Sequence, residues 1–406
     1  MAIKEILESL EEIKDWQEET YKHLHSHPEL SMQEVETAQF IFKTLESYGY
    51  QTQKIGGGVV GILENGQGPK ILFRADIDAL PVKEESGLDY ASTVVMEDLE
   101  GNQVPVMHAC GHDMHITAGL GAAWALAQHQ DKWSGTYIAL FQPGEETAQG
   151  AKAMLADGLL DKIPHPEIAL AQHVLTEPVA GQVGTMSGPF LSTAASIKII
   201  IKGKGAHGSM PHLSIDPIVI GSAIVSRLQT IVAREVDPFQ FAVVSVGAFQ
   251  SGLKANIIPD TTTLLLNVRA YSDQIKDQLI KAIKRIAEAE CQAGGCQEKP
   301  DFEVYDIFPL TDNDGKIAEQ VSQSFKTYLG EERTNSYHQM TASEDFSYIP
   351  RELGIPYFYW GFGGFTEDQT VYANHNPNFA PAIQPSLTTG TQAAVVAILT
   401  YLGNEH

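Results

Sequence analysis

The sequence predicts an α/β fold in two domains, and three observations predict it. Short apolar runs alternate with helical stretches over the first 180 or so residues and again towards the end of the chain. Between these lies a block whose elements read β-α-β-β-α-β, the ferredoxin-like order. Several of the apolar runs also end in charged or metal-binding residues. In a mainly parallel sheet those ends would gather along one edge, where ligands bind.

The elements follow in order. Ile3, Ile6, Leu10, Ile13 and Trp16 stand at helical spacing, and the helix should end near "HSHPE", because Pro28 disfavours helix at His27. "TAQFIFKTLESYG" is a second helix, stopped by Gly49. "GVVGIL", "KILFRADIDAL", "TYIALFQPGEE" and "EIALAQHV" read as buried strands, separated by helical stretches such as "MHITAGLGAAWALAQH" and "GAKAMLADGLL". Near residue 190 the pattern changes. "ASIKIIIKG" alternates like a half-exposed strand, and the helix of "SIDPIVIGSAIVSRLQTIVAREV" has Asp216 and Pro217 near its start. "FAVVSVGAF" and "TTTLLLNVRA" are strands, "SDQIKDQLIKAIKRIAEAEC" is a helix with Ser272 as N-cap, and "DFEVYDI" is a strand. "GKIAEQVSQSFKTYLG", "PYFYWGFG" and a last helix from about Ser386 then resume the first pattern. The predicted domains are 1–188 and 303–406 as one unit in two parts, with 189–302 inserted.

Composition narrows the function. With 406 residues, 43% hydrophobic and 19% charged, the chain can bury two ordinary cores. A net charge of −24 argues against nucleic-acid binding and would attract divalent cations. Three Cys cannot build a disulfide framework; Cys291 and Cys296 could pair locally or stay reduced. Acidic residues interrupt the N-terminal apolar positions as they would not in a signal or transit peptide, and no apolar run is long enough to span a membrane. The expectation is a cytoplasmic protein without membrane association.

The chemistry concentrates in "HACGHDMH", residues 108–115, which holds three of the 14 histidines and one of the three cysteines. Cys110 and His112 are two apart, so in a tight turn both can face one point, and thiolate with imidazole is a zinc-type donor pair. His115 continues into the helix and could cap or pack instead. In "FQPGEE", Glu145 and Glu146 follow a strand; one can bind metal while the other acts as a base. His173 ends "EIALAQH", His375 lies in "ANHNPNF", and Asp76 and Asp78 end another strand.

In order, "HSHPELS", "RADIDALP", "MHACGHDMH", "FQPGEE", "AQHV", "GAHGSMPH", "NIIPD" and "HNPNF" resemble the M20 family of metallopeptidases, more closely its amidohydrolase branch. The resemblance spans about residues 25–380. It implies a catalytic domain with an inserted lid and dimerisation domain, and hence a homodimer through the lid. It implies two divalent metal ions per chain, zinc or manganese first, then cobalt or nickel. The ligands would be Cys110, His112, Glu146, His173 and His375, with Cys110 as bridge. Glu145 would be the general base, and Asp78 would orient a ligand histidine. Asp76 stands where the wider family has a ligand His. Gly144, where the branch often has Ala, should bring only local backbone freedom. His207 would serve a neighbouring subunit's site, and Asn256 and Arg269 would bind a substrate carboxylate. The implied reaction is hydrolysis of N-acyl amino acids. A metallocarboxypeptidase or dipeptidase is the nearest alternative, and a metal-containing module that binds acylated ligands without turnover is the more distant one.

Overall fold

The computed structural model describes residues 2–403, which fall into two compact units. One comprises the chain up to Phe190, Asp312–Gln339 and the part from Asp345 onward; the other comprises Leu191–Thr311 and Met340–Glu344.

The first unit is built on an eight-stranded mixed sheet. Its order is Gln51–Ile55, Gly58–Asn65, Gly135–Gln142, Lys70–Asp76, Ile168–Ala180, Tyr357–Gly363, Val183–Thr185 and Thr334–Ser336. The four strands from Gly135–Gln142 to Tyr357–Gly363 run parallel, with Asp76 opposite Gln142 and His173 opposite Gly361. Gly135–Gln142 and Tyr357–Gly363 are buried along their whole length, which is why they read as continuous apolar runs rather than alternating ones. Parallel register brings Asp76 and Gln142, at the ends of their strands, to one edge of the short strands, level with the middle of Ile168–Ala180, which continues past His173 instead of ending there as the sequence reading had it. Helices Val35–Ser47, His112–Gln128, Gly315–Tyr328 and Ile383–Leu402 contribute to the core. The N-terminal helix forms as two segments, Ala2–Ser9 and Lys14–Ser26, joined by a 3-10 turn. No helix among the described residues is long and apolar enough to cross a membrane.

The second unit has a four-stranded antiparallel sheet ordered Ala242–Ser251, Thr261–Ala270, Thr193–Lys202 and Asp301–Phe308. Burial alternates residue by residue along its two central strands. Their inward residues, Ile197, Ile199, Leu264 and Leu266 among them, meet the apolar stripes of helices Pro217–Arg234 and Asp273–Ala293. Ser272 caps its helix as expected, accepting from Ile275 N, and Asp216 caps the other, accepting from Ile218 N. The boundaries differ from the sequence reading. Residue 302 falls inside the strand Asp301–Phe308, the unit closing only at Thr311, and the segment Met340–Glu344 joins it from far along the chain. Ser192 N donates to Ala342 O at 2.8 Å, and the Arg269 guanidinium donates to Thr341 O and Ser343 Oγ, so backbone and side-chain bonds hold that segment.

Candidate metal centre

Cys110 and His112 are brought to face one point by the turn between them. Gly111 has φ +84°, and a Cβ there would lie 2.4 Å from Val174 Cγ1, so both the conformation and the space demand glycine. The turn opens the helix His112–Gln128. The loop carrying His375 docks on it: His375 N donates to Ala109 O at 2.7 Å, and Asn374 Nδ2 lies 3.5 Å from Cys110 Sγ. His375 itself holds φ +68°, an uncommon conformation for a non-glycine residue and one that is found at functional sites.

Glu145 and Glu146 lie in the turn after the strand Gly135–Gln142. Gly144 holds φ +54° there, in the left-handed region that favours glycine, and a Cβ would sit 2.4 Å from Met32 Sδ, so the Met32 side chain would have to shift to admit alanine. Glu34, which the sequence reading did not single out, accepts from Gly144 N and Met32 N at 2.8 Å each.

Asp78 is the hub. Its Oδ1 accepts from His112 Nδ1 at 3.0 Å, which leaves the His112 lone pair on Nε2. Its Oδ2 accepts from Ser31 Oγ at 2.6 Å and from Glu146 N at 3.0 Å, so one carboxylate aligns two elements of the site. Asp76 is fully buried, bonded to Arg74 at 2.6 Å and to His115. Arg74 in turn donates to Gln142 Oε1 at 3.0 Å. The basic residue inside the run "KILFRAD" was the one sequence signal for this network.

Donor atoms of Cys110, His112 and His173 lie within 4.8 Å of one another, and so do those of Cys110, Glu146 and His375. The two triplets share Cys110. Cys110 Sγ is 3.5 Å from His173 Nε2, and His375 Nε2 is 3.3 Å from Glu146 Oε2. His112 Nε2 and Glu146 Oε1 are buried without a hydrogen-bond partner, 3.8 Å apart. Buried polar atoms left so are costly, and a thiol, imidazoles and a carboxylate arranged this way fit divalent metal. Glu145 is buried beside His112 and Glu146, with donor atoms inside the same 4.8 Å limit.

The electrostatics match a site that exchanges protons for cations. Burial and the Glu146 carboxylate push the Cys110 thiol up. Cys110 and Glu146 carry His375 up to about 10. Burial opposes charge on His112, but Asp76, Asp78 and Cys110 outweigh it and hold the imidazole well above its usual value. Burial and the neighbouring His115 hold His173 well below it.

The remaining expected site residues lie in the second unit. His207 is exposed, bonded to Ser209 Oγ at 2.7 Å, on a two-residue strand paired with Ile257–Ile258. Gly208 N donates to Asn256 O at 2.8 Å, so His207 and Asn256 are neighbours. Arg269 lies apart from them on the strand Thr261–Ala270, bonded as described above.

Comparison with known proteins agrees with the geometry. The family model for peptidase family M20/M25/M40 matches residues 72–400. The chain is 35% identical over 361 residues to the N-acetyl-L-cysteine deacetylase of Bacillus subtilis (strain 168), covering 86% of this chain and 83% of that protein. It is 32% identical over 383 residues to the thermostable carboxypeptidase 2 of Saccharolobus solfataricus, covering 93% of each. Among solved structures, the YXEP protein of Bacillus subtilis, a dinuclear metal binding peptidase from the M20 family, aligns with a TM-score of 0.78 at 30% identity. The alignment covers 96% of this chain and 99% of that one. With a family match over most of its length and relatives above 30% identity along nearly all of it, the chain belongs to peptidase family M20/M25/M40, on its amidohydrolase branch.

Proposed function

We propose that the protein hydrolyses the amide bond of N-acyl amino acids, using two divalent ions held by Cys110, His112, Glu146, His173 and His375. The observation that carries the reading is the pair of donor triplets sharing Cys110, with Glu145 beside them. Bound ions of this kind polarise the amide carbonyl and lower the pKa of a water towards about 7. Glu145 takes the proton of the attacking water and delivers it to the leaving amine, so a free amino acid and a carboxylic acid result. A module that only bound acylated ligands would have no use for a base at that position. Asp78 fixes the His112 tautomer and the Glu146 backbone while this happens. Thiolate ligation favours zinc; the imidazole and carboxylate donors also suit manganese, cobalt or nickel.

The second unit is read as a ferredoxin-like lid, on the strength of its β-α-β-β-α-β order and antiparallel sheet. Its edge strand Ala242–Ser251 offers a pairing surface for a homodimer. His207 with Asn256 would then complete a neighbouring subunit's site. Arg269 suits a substrate carboxylate through its planar fork, though Thr341 and Ser343 already hold one of its nitrogens.

A second reading, hydrolysis of dipeptides, is favoured by the resemblance to a carboxypeptidase. The bond is of the same type, so pocket shape alone separates the two. Steady-state rates on N-acetyl and N-benzoyl amino acids and on dipeptides, with zinc- or manganese-loaded protein, test it. The expected outcome is higher kcat/KM on the acyl amino acids. Preference for dipeptides would transfer the assignment to the second reading, and no turnover of either would overturn both.

A further inference from the structure

We propose that His115 is a positioning residue that fixes the geometry of His173, with Asp76 and Arg74 behind it; the inference rests on the reading of His173 as a metal ligand. His115 lies three residues after His112 on the same helix, so both imidazoles project from one side of it. Residue type and spacing alone would make His115 a further donor, and its ring centroid is only 4.4 Å from that of His173. Its nitrogens are otherwise engaged. Nε2 accepts the Val174 N–H at 2.8 Å, so its lone pair is committed and the ring proton sits on Nδ1. Nδ1 donates to Asp76 Oδ1, and the other Asp76 oxygen accepts from Arg74 at 2.6 Å. Asp76 is engaged through both of its oxygens in the same chain, with Oδ2 3.7 Å from His112 Nε2.

The same Val174 residue reaches the centre from its other end. Its carbonyl accepts from His173 Nδ1 at 2.6 Å, which places the His173 lone pair on Nε2, facing Cys110. Arg74, Asp76, His115, Val174 and His173 thus form one hydrogen-bonded chain, with His115 buried within it. The chain holds the His173–Val174 peptide plane through its N–H and, through the carbonyl of the next peptide, the His173 tautomer. Partners of metal-binding histidines typically contribute 10- to 100-fold in metal affinity. His115 acts through one intervening residue, Val174, so about 10-fold is expected of it.

Two substitutions separate its two hydrogen bonds. His115→Gln keeps an acceptor near the Nε2 position for Val174 N–H, whereas His115→Asn keeps a donor towards Asp76 but offers Val174 nothing. Zinc affinity is measured by chelator competition for each of the two equivalents. Exchange of the Val174 amide is measured in metal-free protein by hydrogen–deuterium exchange mass spectrometry. The Asn variant should lose about 10-fold in affinity for one equivalent and exchange Val174 faster, while the Gln variant stays within about threefold of wild type. Wild-type affinity and exchange in the Asn variant, or equal losses in both variants, would overturn the proposal. If the Asn variant does not fold, the Gln variant decides: a loss as large as that of His173→Ala overturns it. His173→Ala itself should lose one zinc equivalent; retention of both would overturn the ligand assignment rather than the role of His115.

Discussion

Raising the pH from 6 to 9.5 should remove about 3 kcal/mol of stability that depends on His25. This residue, near the end of the segment Lys14–Ser26, is 1% exposed and lies between two carboxylates. Its Nδ1 meets Asp113 Oδ2 at 2.6 Å and its Nε2 meets Glu84 Oε1 at 3.0 Å. Burial opposes the charge, but the two carboxylates outweigh it and raise the imidazole from 6.5 to about 9. A pKa raised in the folded state contributes stability that is complete below about 6.5 and is lost as the pH rises through about 9. The rise from 6.5 to about 9, at about 1.4 kcal/mol for each tenfold change in proton affinity, gives the magnitude. Glu34 adds a slope of the same sign between 4.5 and about 8, because burial and the Asp78 charge raise its carboxyl to that value. That slope is common to wild type and His25→Gln and cancels between them. Urea unfolding of both proteins at pH 6 and 9.5, with reversibility checked by refolding, isolates the His25 contribution. The gap between them should narrow by about 3 kcal/mol at the higher pH. Parallel pH curves for the two proteins would refute the charged triad. The triad also matters to the metal centre, since Asp113 follows His112 and Glu85 N, next to Glu84, bonds to Pro377 O at 2.8 Å, two residues from His375.

Substitution of the two glutamates should separate base from ligand. Glu145→Gln should lower kcat by about 10²–10⁴ with zinc content unchanged, whereas Glu146→Gln should lower zinc content as well; the reverse pattern by elemental analysis would exchange their roles. Thiol labelling of Cys110, followed by peptide mapping to separate it from Cys291 and Cys296, should be slow in zinc-loaded protein and fast after chelation. Equal rates in both states would remove Cys110 from the ligand set.

Legibility in the sequence followed a physical rule. The large sheet could be read because strands buried on both faces, such as Gly135–Gln142, are continuously apolar. The second unit could be read because its strands show period two. Its end could not, because "DFEVYDIF" is only half buried and carries no compositional break where it stops. Nor do the five residues of Met340–Glu344 signal that distant Ser192 and Arg269 will bind them. The proposed donors stood out as Cys, His and paired Glu clustered in short motifs, whereas Ser31, Glu34 and Arg74 are ordinary types whose roles exist only through the atoms they meet in the fold. The pair His112 and His115 marks the limit most sharply. Both are buried on one helix, three residues apart, and each gives its Nδ1 proton to an aspartate. Residue type and the kind of partner are the same for both, Asp78 for His112 and Asp76 for His115. What separates them is the other nitrogen: His112 Nε2 has no hydrogen-bond partner, while His115 Nε2 receives the amide of Val174. On the proposed assignment, a donor to metal and a support for one therefore differ in a single backbone hydrogen bond to a residue 59 positions away, which local sequence cannot encode and only the fold supplies.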